Sequence, residues 1–561
     1  MRRAVILCFV FICTLAGQFL GRVLDARASG AGMNIPGALV SGLIWAAAAA
    51  AALAAGYAFM TRRGFRTEKE ELPGDPPAWR KRVLRDAAVL FLAWLPCFIA
   101  YYPAVYSYDG EPQLIQYTLR RFDNHHPIAH TLFLGGCYSL GQKLRAAGIP
   151  LDGMVFCSLI QMAAMAFALS ALLGFTSQRF RISRAVHITV LLFYAVFPVF
   201  PVMAVSTTKD TLFTAFFILF TIRAGEALLS GENTAVRLFI DAFLMMLMRK
   251  NGLYMAFGLI LMLAAGEVLR RIRGREKNAA KLRVLAACST AVLCFLITEN
   301  ALMAATGAVR GESAEALSIP LQQIARTERS SGDELTGEER EEILYFITEE
   351  GLENYRPSIS DVVKMNFNND HFRAEPMRFV RLWLHLGKRF PGSYAAAFLY
   401  HTMGAWYPGD FSHCTVYKDW WRDRLGYLIT DAVPVFGGYD FVRKENFLPG
   451  VRTAYEAVVT DMAYRRIPVL TALFSPWLYA FGTLAAALAL LLRRKYNSVL
   501  VMIPALVNYL MLLAGPCVIV RYVYPFMAVM PLIWVMAAAP EPGRRAGRQE
   551  KINGNQENNN E

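Results

Sequence analysis

Ionisable side chains interrupt the apolar stretches of this sequence at four sites. These are YSYDGEPQLIQY (106–117) with FDNHHPIAHT (122–131), VSTTKDTLF (205–213), LMRKNGLY (247–254) and GPCVIVRYVYP (515–525). The candidate residues that they contain are Asp109, Glu111, His125, His126, His130, Lys209, Asp210, Arg249, Lys250, Asn251 and Arg521. Charged groups at the ends of apolar segments are costly unless they are paired or solvated, so these residues form a hypothesis for a functional site.

The residue types suit the transfer of a group from a phosphate. A carboxylate can act as a general base toward a hydroxyl nucleophile, which points to Asp109 or Glu111. Cationic side chains can hold a phosphate leaving group as its negative charge develops, which points to Lys209, Arg249 and Arg521. These are the needs of sugar transfer from a lipid-linked phosphate. We include His125, Asp210 and Asn251 as further substrate contacts.

Each charged residue also has a simple structural explanation. Arg249 and Lys250 could extend toward the membrane surface, and Arg521 could pair with a lipid phosphate. Asp210 could cap a helix that begins at Thr211. Four such clusters on one side of the membrane, opposite to where positive charge should accumulate, favour a shared role.

The composition is that of a membrane protein. Hydrophobic residues make up 55% of the 561 residues and charged residues 18%, whereas soluble chains carry about a quarter charged residues. Uncharged runs of roughly 20 residues exclude a soluble or disordered protein. The net charge of +14 does not indicate nucleic acid, because Lys and Arg lie in short clusters between apolar runs.

Hydropathy predicts an all-α polytopic protein with about 12 transmembrane helices. The predicted spans are 4–24, 37–60, 86–104, 152–175, 185–204, 211–229, 237–249, 252–269, 283–303, 472–492, 497–514 and 522–539. The run 128–145, broken by glycines and followed by basic residues, is predicted as an interfacial or re-entrant helix.

The basic clusters set the orientation of these spans. If all of them are cytoplasmic, as the positive-inside rule requires, both termini are cytoplasmic. The first outer loop (105–150) and the connections at 205–210, 249–251 and 515–521 are then extracytoplasmic. All four ionisable sites therefore lie on one side.

The chain divides into four predicted regions. These are an N-terminal transmembrane region (1–303), an extracytoplasmic, mostly helical insert (304–468), C-terminal transmembrane helices (469–540) and a disordered cytoplasmic tail (541–561). Within the insert, Thr336 is a predicted helix cap. LSIPLQQIARTERS (317–330) is either a loop that closes over a donor, with Gln322, Gln323 and Arg326 as contacts, or packing between insert and membrane domain. The aromatic stretch at 406–424 is expected at the headgroup level.

The first outer loop resembles that of a known enzyme superfamily. An acidic pair followed by a His-Pro step (His126, Pro127) that opens an apolar helix looks like the first loop of the GT-C polyprenyl-phosphate-sugar glycosyltransferases. SYDGEPQLIQ, NHHPIAHTLFLG, STTKDTLFTAFFILF, MRKNGLY, LSIPLQQIAR and HTMGAWYPGD, in this order, resemble the uncharacterised bacterial DUF6020 family.

The GT-C resemblance implies a fold, a location and roles for particular residues. It implies a GT-C-like fold in a bacterial plasma membrane, with a lipid-linked sugar donor and a cell-envelope glycan or lipid acceptor. Asp109 would stand where these enzymes keep the acidic residue that activates the acceptor, with Glu111 as its partner, and His126 would touch the donor phosphate. Many members have adjacent acidic residues, whereas Gly110 separates them here, which leaves the base open between the two.

Other interpretations of the same residues remain. His126 and His130, with Asp109 or Glu111, could bind zinc, and the acidic pair could hold Mg²⁺ or Mn²⁺ against a pyrophosphate donor; the sequence does not decide between these ions and no cofactor. A transporter or flippase of lipid-linked sugars would use a similar number of spans, but such proteins tend to have repeats, and none is visible here. A glycan polymerase or ligase would use the outer arginines and would not need the Asp109 base.

Overall fold

Most of the residues that the structure describes are helical. A computed structural model describes residues 2–29, 32–65, 76–105, 109–408, 446–459 and 463–540. The predicted disordered tail and most of the aromatic stretch at 406–424 lie outside these residues. The helices are α1 (Arg2–Ser29), α2 (Ile35–Arg63), α3 (Pro76–Ala100), α4 (Gly110–Leu119), α5 (Ile128–Ala146), α6 (Met154–Phe180), α7 (Arg184–Val196), α8 (Val199–Ala204), α9 (Asp210–Ser230), α10 (Ala235–Met248), α11 (Asn251–Ile272), α12 (Ala279–Thr306), α13 (Ser318–Ser331), α14 (Gly337–Phe346), α15 (Glu349–Glu353), α16 (Asp361–Met365), α17 (Asn369–Ala374), α18 (Pro376–Arg389), α19 (Pro391–Trp406), α20 (Pro449–Val459), α21 (Pro468–Phe474), α22 (Pro476–Leu492), α23 (Tyr496–Ala514) and α24 (Val520–Ala538). Short 3₁₀ turns occur at Ser313–Ala316, Gly332–Glu334 and Ala463–Arg466, and these described ranges contain isolated β-bridges but no strand.

Nine of the helices in the described ranges are long and apolar enough to cross a membrane. They are α1, α2, α3, α6, α9, α11, α12, α23 and α24. About 20 apolar residues in a helix match the thickness of a bilayer's hydrocarbon core. The protein is therefore a multi-pass membrane protein.

Three of the predicted spans are shorter or interrupted, so the count of about 12 is not confirmed. The run 185–204 is divided between α7 and α8, with Pro198 just before the second helix. The run 472–492 is divided in the same way by Pro476, which begins α22. The run at 237–249 forms α10, which has only 14 residues. A hydropathy window does not register these breaks, although proline cannot continue the hydrogen bonding of a helix.

Two spans form the interior of the helical assembly. In their most apolar windows, 72% of the residues of α9 and 78% of those of α24 are buried, against 17% for α2. Both α9 and α24 begin with a charged residue in their first turn, Asp210 and Arg521. The charged groups at these ends are therefore surrounded by protein rather than by lipid or water.

The basic connections contact one another at one end of the bundle. Ser183 donates a backbone hydrogen bond to Gly64, and Arg179 and Arg283 donate to the carbonyls of Leu229 and Gly231. At the same end, Ser177 and Asp86 hydrogen-bond the two ring nitrogens of buried His187, at 2.9 and 2.8 Å. This network joins α3, α6 and α7. The four ionisable sites lie at the opposite end.

The insert has an apolar core of its own. Leu321, Phe346, Phe379 and Leu386 belong to a cluster of buried residues separate from the large membrane core. The predicted cap at Thr336 is confirmed, because Thr336 and Glu339 form a reciprocal capping box at the start of α14. The interpretation of 317–330 as a loop is wrong, since these residues form helix α13. The outer boundaries of the insert remain a prediction.

Candidate functional site

Backbone hydrogen bonds hold the first two ionisable sites side by side. Val105 donates to the carbonyl of Val205 at 2.9 Å, and Thr207 donates to the carbonyl of Val105 at 2.9 Å. Gln161 of α6 fixes the same segment by donating to the carbonyl of Ser206 at 2.6 Å. This short pairing places Asp109, four residues after Val105, next to Lys209.

Asp109 receives two cations from distant parts of the chain. Its Oδ2 lies 2.8 Å from the Nζ of Lys209 and 3.2 Å from Nη1 of Arg521. The Arg521 side chain is only 5% exposed. The first outer loop, the start of α9 and the start of α24 thus meet at one carboxylate.

Asp210 connects this group to a third cation, Arg249. Its Oδ2 lies 3.1 Å from Nε of Arg521, and its Oδ1 pairs with Arg249. Both simple explanations for these residues are wrong, since Asp210 caps no helix and Arg249 pairs with it instead of extending toward the membrane surface. We name Asp109, His126, Lys209, Asp210, Arg249 and Arg521 the ion cluster.

His126 completes the ion cluster as a neutral side chain. Lys209 Nζ lies 3.0 Å from its Nδ1. Because an ammonium group only donates, Nδ1 must accept and the ring proton must be on Nε2. Burial and the charge of Lys209 hold the pKa of His126 well below its usual range, which agrees with this neutral form.

The cations also control the acidity of Asp109. Burial by itself would raise the pKa of its carboxyl, but Arg521 and Lys209 outweigh burial and hold that pKa well below its usual range. The carboxylate is therefore fully ionised. It is also a weak base for as long as both cations remain on it.

Gly110 fits against the segment that carries Lys209. A Cβ at this position would lie 2.1 Å from Oγ1 of Thr207, a distance that real side chains do not reach. The tight contact with Thr207 thus gives a packing reason for the glycine that separates Asp109 from Glu111. Glu111 is 6% exposed in the first turn of α4, whereas the ion pairs to Lys209 and Arg521 are made by Asp109.

The other predicted contacts lie around the ion cluster or away from it. His125 is exposed, and its Nδ1 lies 3.8 Å from Oε1 of Glu315. Asn251 is the first residue of α11, and within the described ranges it forms no hydrogen bond with a member of the ion cluster. Gln323 is used in packing, since it accepts from Trp383 at 2.8 Å. Gln322 and Arg326 lie together on α13, apart from the ion cluster's ion pairs.

A comparison with protein families identifies the chain's relatives. The family described as of unknown function, DUF6020, matches residues 113–553. The chain belongs to the DUF6020 family. The match includes His126, Lys209, Arg249 and Arg521 and begins just after Glu111. No curated protein and no solved structure matches this DUF6020 chain.

Several residues that support the site in this DUF6020 protein were not identified from its sequence. The ring of Tyr522 lies under both arginines, with its centroid 4.8 Å from Cζ of Arg249 and 4.9 Å from that of Arg521. Thr208 donates to Asp210 at 2.8 Å. Tyr522 directly follows Arg521, so an aromatic residue beside a charged span end is the signal that could have indicated it.

The ion cluster does not fit a resident divalent metal. Within the described ranges, no three or more His, Cys, Asp or Glu side chains are arranged to hold a metal ion. The two carboxylates already face Lys209, Arg249 and Arg521, whose charges would repel Mg²⁺ or Mn²⁺. The Nδ1 of His130 is occupied by Gln113, 3.1 Å away. The arrangement instead suits an anion.

Proposed function

We propose that this protein is an integral membrane glycosyltransferase. It transfers a sugar from a polyprenyl-phosphate donor to a cell-envelope acceptor on the extracytoplasmic face of a bacterial plasma membrane, with both termini in the cytoplasm. The positive-inside rule supports that orientation, because the ion cluster lies at the end opposite to the basic connections. The fold would then be GT-C-like.

A single observation carries this proposal. Four separate connections bring three cations and two carboxylates into direct contact at one end of the bundle. Buried charges are expensive to maintain, so their concentration in one place favours a functional role over a structural one.

The charge of the ion cluster matches that of the donor. With His126 neutral, three cations against two carboxylates leave one positive charge in excess. A sugar linked to polyprenyl phosphate is a phosphodiester with one negative charge. The phosphate that leaves carries a second negative charge, and protonation of Asp109 would leave two positive charges to match it.

Donor binding would also make Asp109 a better base. A phosphate that takes hydrogen bonds from Lys209 and Arg521 competes with Asp109 for both cations. Since those cations lower the pKa of its carboxyl, their partial withdrawal raises that pKa. The site thus gains basicity only when the donor is present.

The reaction we propose is an inverting substitution. The acceptor hydroxyl oxygen forms a bond to the anomeric carbon of the sugar, and the bond from that carbon to the phosphate oxygen breaks. The bonding electrons leave with the phosphate, which Lys209, Arg249 and Arg521 stabilise. The hydroxyl proton passes to Asp109 or Glu111.

The position of a bound polyprenyl phosphate tests this proposal directly. We expect density for an isoprenoid phosphate, co-purified or added, with its phosphate against Lys209 and Arg521. Farnesyl phosphate should raise the melting temperature of the purified protein, whereas the uncharged alcohol farnesol should not. Phosphate density elsewhere, or equal effects of the two compounds, would contradict the proposal. A flippase would instead move labelled lipid between leaflets without cleaving it.

Gly110→Ala should lower turnover without removing any charged group. The new Cβ displaces Thr207, and with it the segment that carries Lys209. Misplacement of about 1 Å can cost about 100-fold in rate, so we expect a loss of about 10–100-fold in release of polyprenyl phosphate. Gly136→Ala in α5 is the control, because nothing lies within 4 Å of its added Cβ. Full turnover in Gly110→Ala would show that the tight contact is unimportant.

A further inference from the structure

Buried polar atoms without hydrogen-bond partners collect where α13 meets α19. Gln322 and Arg326 are four residues apart on α13 and so lie on one face. Oε1 of Gln322 and Nε of Arg326 are buried and make no hydrogen bond. The Tyr355 hydroxyl lies beside Arg326 but makes no well-formed hydrogen bond with it. With Tyr400, these residues form what we call the Arg326 cluster.

Arg326 lies partly buried in the insert without a counter-ion among the described residues. Arg340, Arg373, Arg378 and Arg389 each have a carboxylate within 4 Å. Within the described ranges, Arg329 and Arg356 also lack a carboxylate at that distance, but they are exposed. The Cζ of Arg326 lies over the ring of Tyr400, 4.4 Å from the centroid. This contact holds the guanidinium in place while leaving its charge uncompensated. The planar donors of arginine suit a carboxylate or a phosphate.

The other members of the Arg326 cluster suit a sugar. The amide of Gln322 can both donate and accept, and its Nε2 is already held by the carbonyl of Arg356 at 3.0 Å. Burial raises the pKa of Tyr355 to about 12, so its hydroxyl remains a donor at neutral pH. Tyrosine rings also provide flat surfaces for the apolar faces of sugar rings.

The connection at 515–521 links the Arg326 cluster to the ion cluster. Ser360 donates to the carbonyl of Pro516 at 3.0 Å, and His401 Nε2 lies 2.7 Å from the carbonyl oxygen of Gly515. The same connection continues directly to Arg521 of the ion cluster. The two sites are therefore neighbours on the same side of the bundle.

We propose that the Arg326 cluster binds the anionic group of a glycan acceptor, a sugar that carries a phosphate or a carboxylate. This assignment rests on the proposed transferase function, because a second substrate must lie beside the donor. A glycan fits better than a lipid headgroup, since α13 belongs to the core of the insert and not to any of the nine candidate spans.

Binding of small anionic sugars by the full-length protein tests this assignment. We would titrate glucose 6-phosphate, glucuronate and glucose into protein held in nanodiscs of neutral phosphatidylcholine and measure affinity by calorimetry. The two anions should bind more tightly than glucose. Arg326→Gln should weaken their binding about 10-fold or more, as expected for lost hydrogen bonds to a charged group.

The matched control is Arg329→Gln, which removes the same charge from an exposed position on the same helix. It should bind both anions as the unmodified protein does. Tyr355→Phe is a milder change and should weaken binding of the anions a few-fold. It serves as the test variant if Arg326→Gln does not fold. Circular dichroism and gel filtration would establish which variants fold.

Three results would overturn the assignment. The first is unchanged binding of the anions in Arg326→Gln or, if that variant does not fold, in Tyr355→Phe. The second is an equal loss of binding in Arg329→Gln. The third is an Arg326-dependent stabilisation of the protein by phosphatidylglycerol nanodiscs without any sugar, which would indicate a lipid headgroup. The sugar titrations contain no donor. Failure of farnesyl phosphate to bind would therefore refute the donor site without refuting the Arg326 cluster as an anion site.

Discussion

Replacing Arg521 with glutamine is expected to impair both stability and turnover. Among the described residues, Arg521 is the one cation that forms ion pairs with both Asp109 and Asp210, and its side chain is almost completely buried. Removing one partner of a buried ion pair typically costs about 3–5 kcal/mol, because the remaining charge is left uncompensated. Turnover should fall by about 10²–10³, the range measured when one preorganised donor to a developing negative charge is removed.

A double variant separates these contributions. Asp210→Asn together with Arg521→Gln leaves no unmatched Asp210 charge, so its loss of stability should be smaller than the sum of the single losses by at least about 0.5 kcal/mol. Arg179→Gln is the control, since Arg179 ends a span at the basic end and is exposed. The melting temperature in detergent and the release of polyprenyl phosphate are the measurements. Additive losses would show that Arg521 and Asp210 are not coupled.

Asp109→Asn is expected to remove most of the turnover while preserving donor binding. The amide of asparagine has the same shape as the carboxylate but cannot take the proton from the hydroxyl of the sugar acceptor. A positioned base typically raises the rate about 10²–10⁴-fold. Lys209 and Arg521 lose a competing carboxylate, so farnesyl phosphate should bind at least as tightly as before. Rates with labelled donor and cell-envelope extract, and farnesyl phosphate titrations, measure the two effects.

Glu111→Gln in the same assay identifies the base. If Glu111 is the base, its variant should show the large loss and Asp109→Asn a smaller one. Asp370→Asn is a suitable control, because Asp370 is 89% exposed in the insert. Retained turnover in both variants would remove the proposed base and favour an arginine-driven ligase. Weaker farnesyl phosphate binding in Asp109→Asn would instead give Asp109 a role in binding.

The sequence was sufficient for the class of protein and for the residues that form the ion cluster. Long apolar runs can be stable in a membrane only as helices, because every backbone polar group must be satisfied internally. Charged groups such as Lys209 and Arg249 stand out against those runs, which is why the candidates could be named. Membership of the DUF6020 family could be inferred from ordered blocks such as MRKNGLY, and the family comparison confirmed it.

The number of spans was less accessible to sequence reasoning. Hydropathy averages over about 19 residues, so it joined α7 with α8 across Pro198. Whether α10, with 14 residues, spans the membrane depends on its neighbours rather than on its own composition.

Only the tertiary structure decided which charges pair. Asp109 and Arg521 are more than 400 residues apart in sequence, and no local pattern indicates that they are 3.2 Å apart in space. The same holds for Arg326, since only the structure shows that this partly buried side chain has no carboxylate beside it among the described residues. Residue type and helix formation depend on the local sequence, whereas the pairing of charges depends on which helix ends the packing of α9 and α24 brings together.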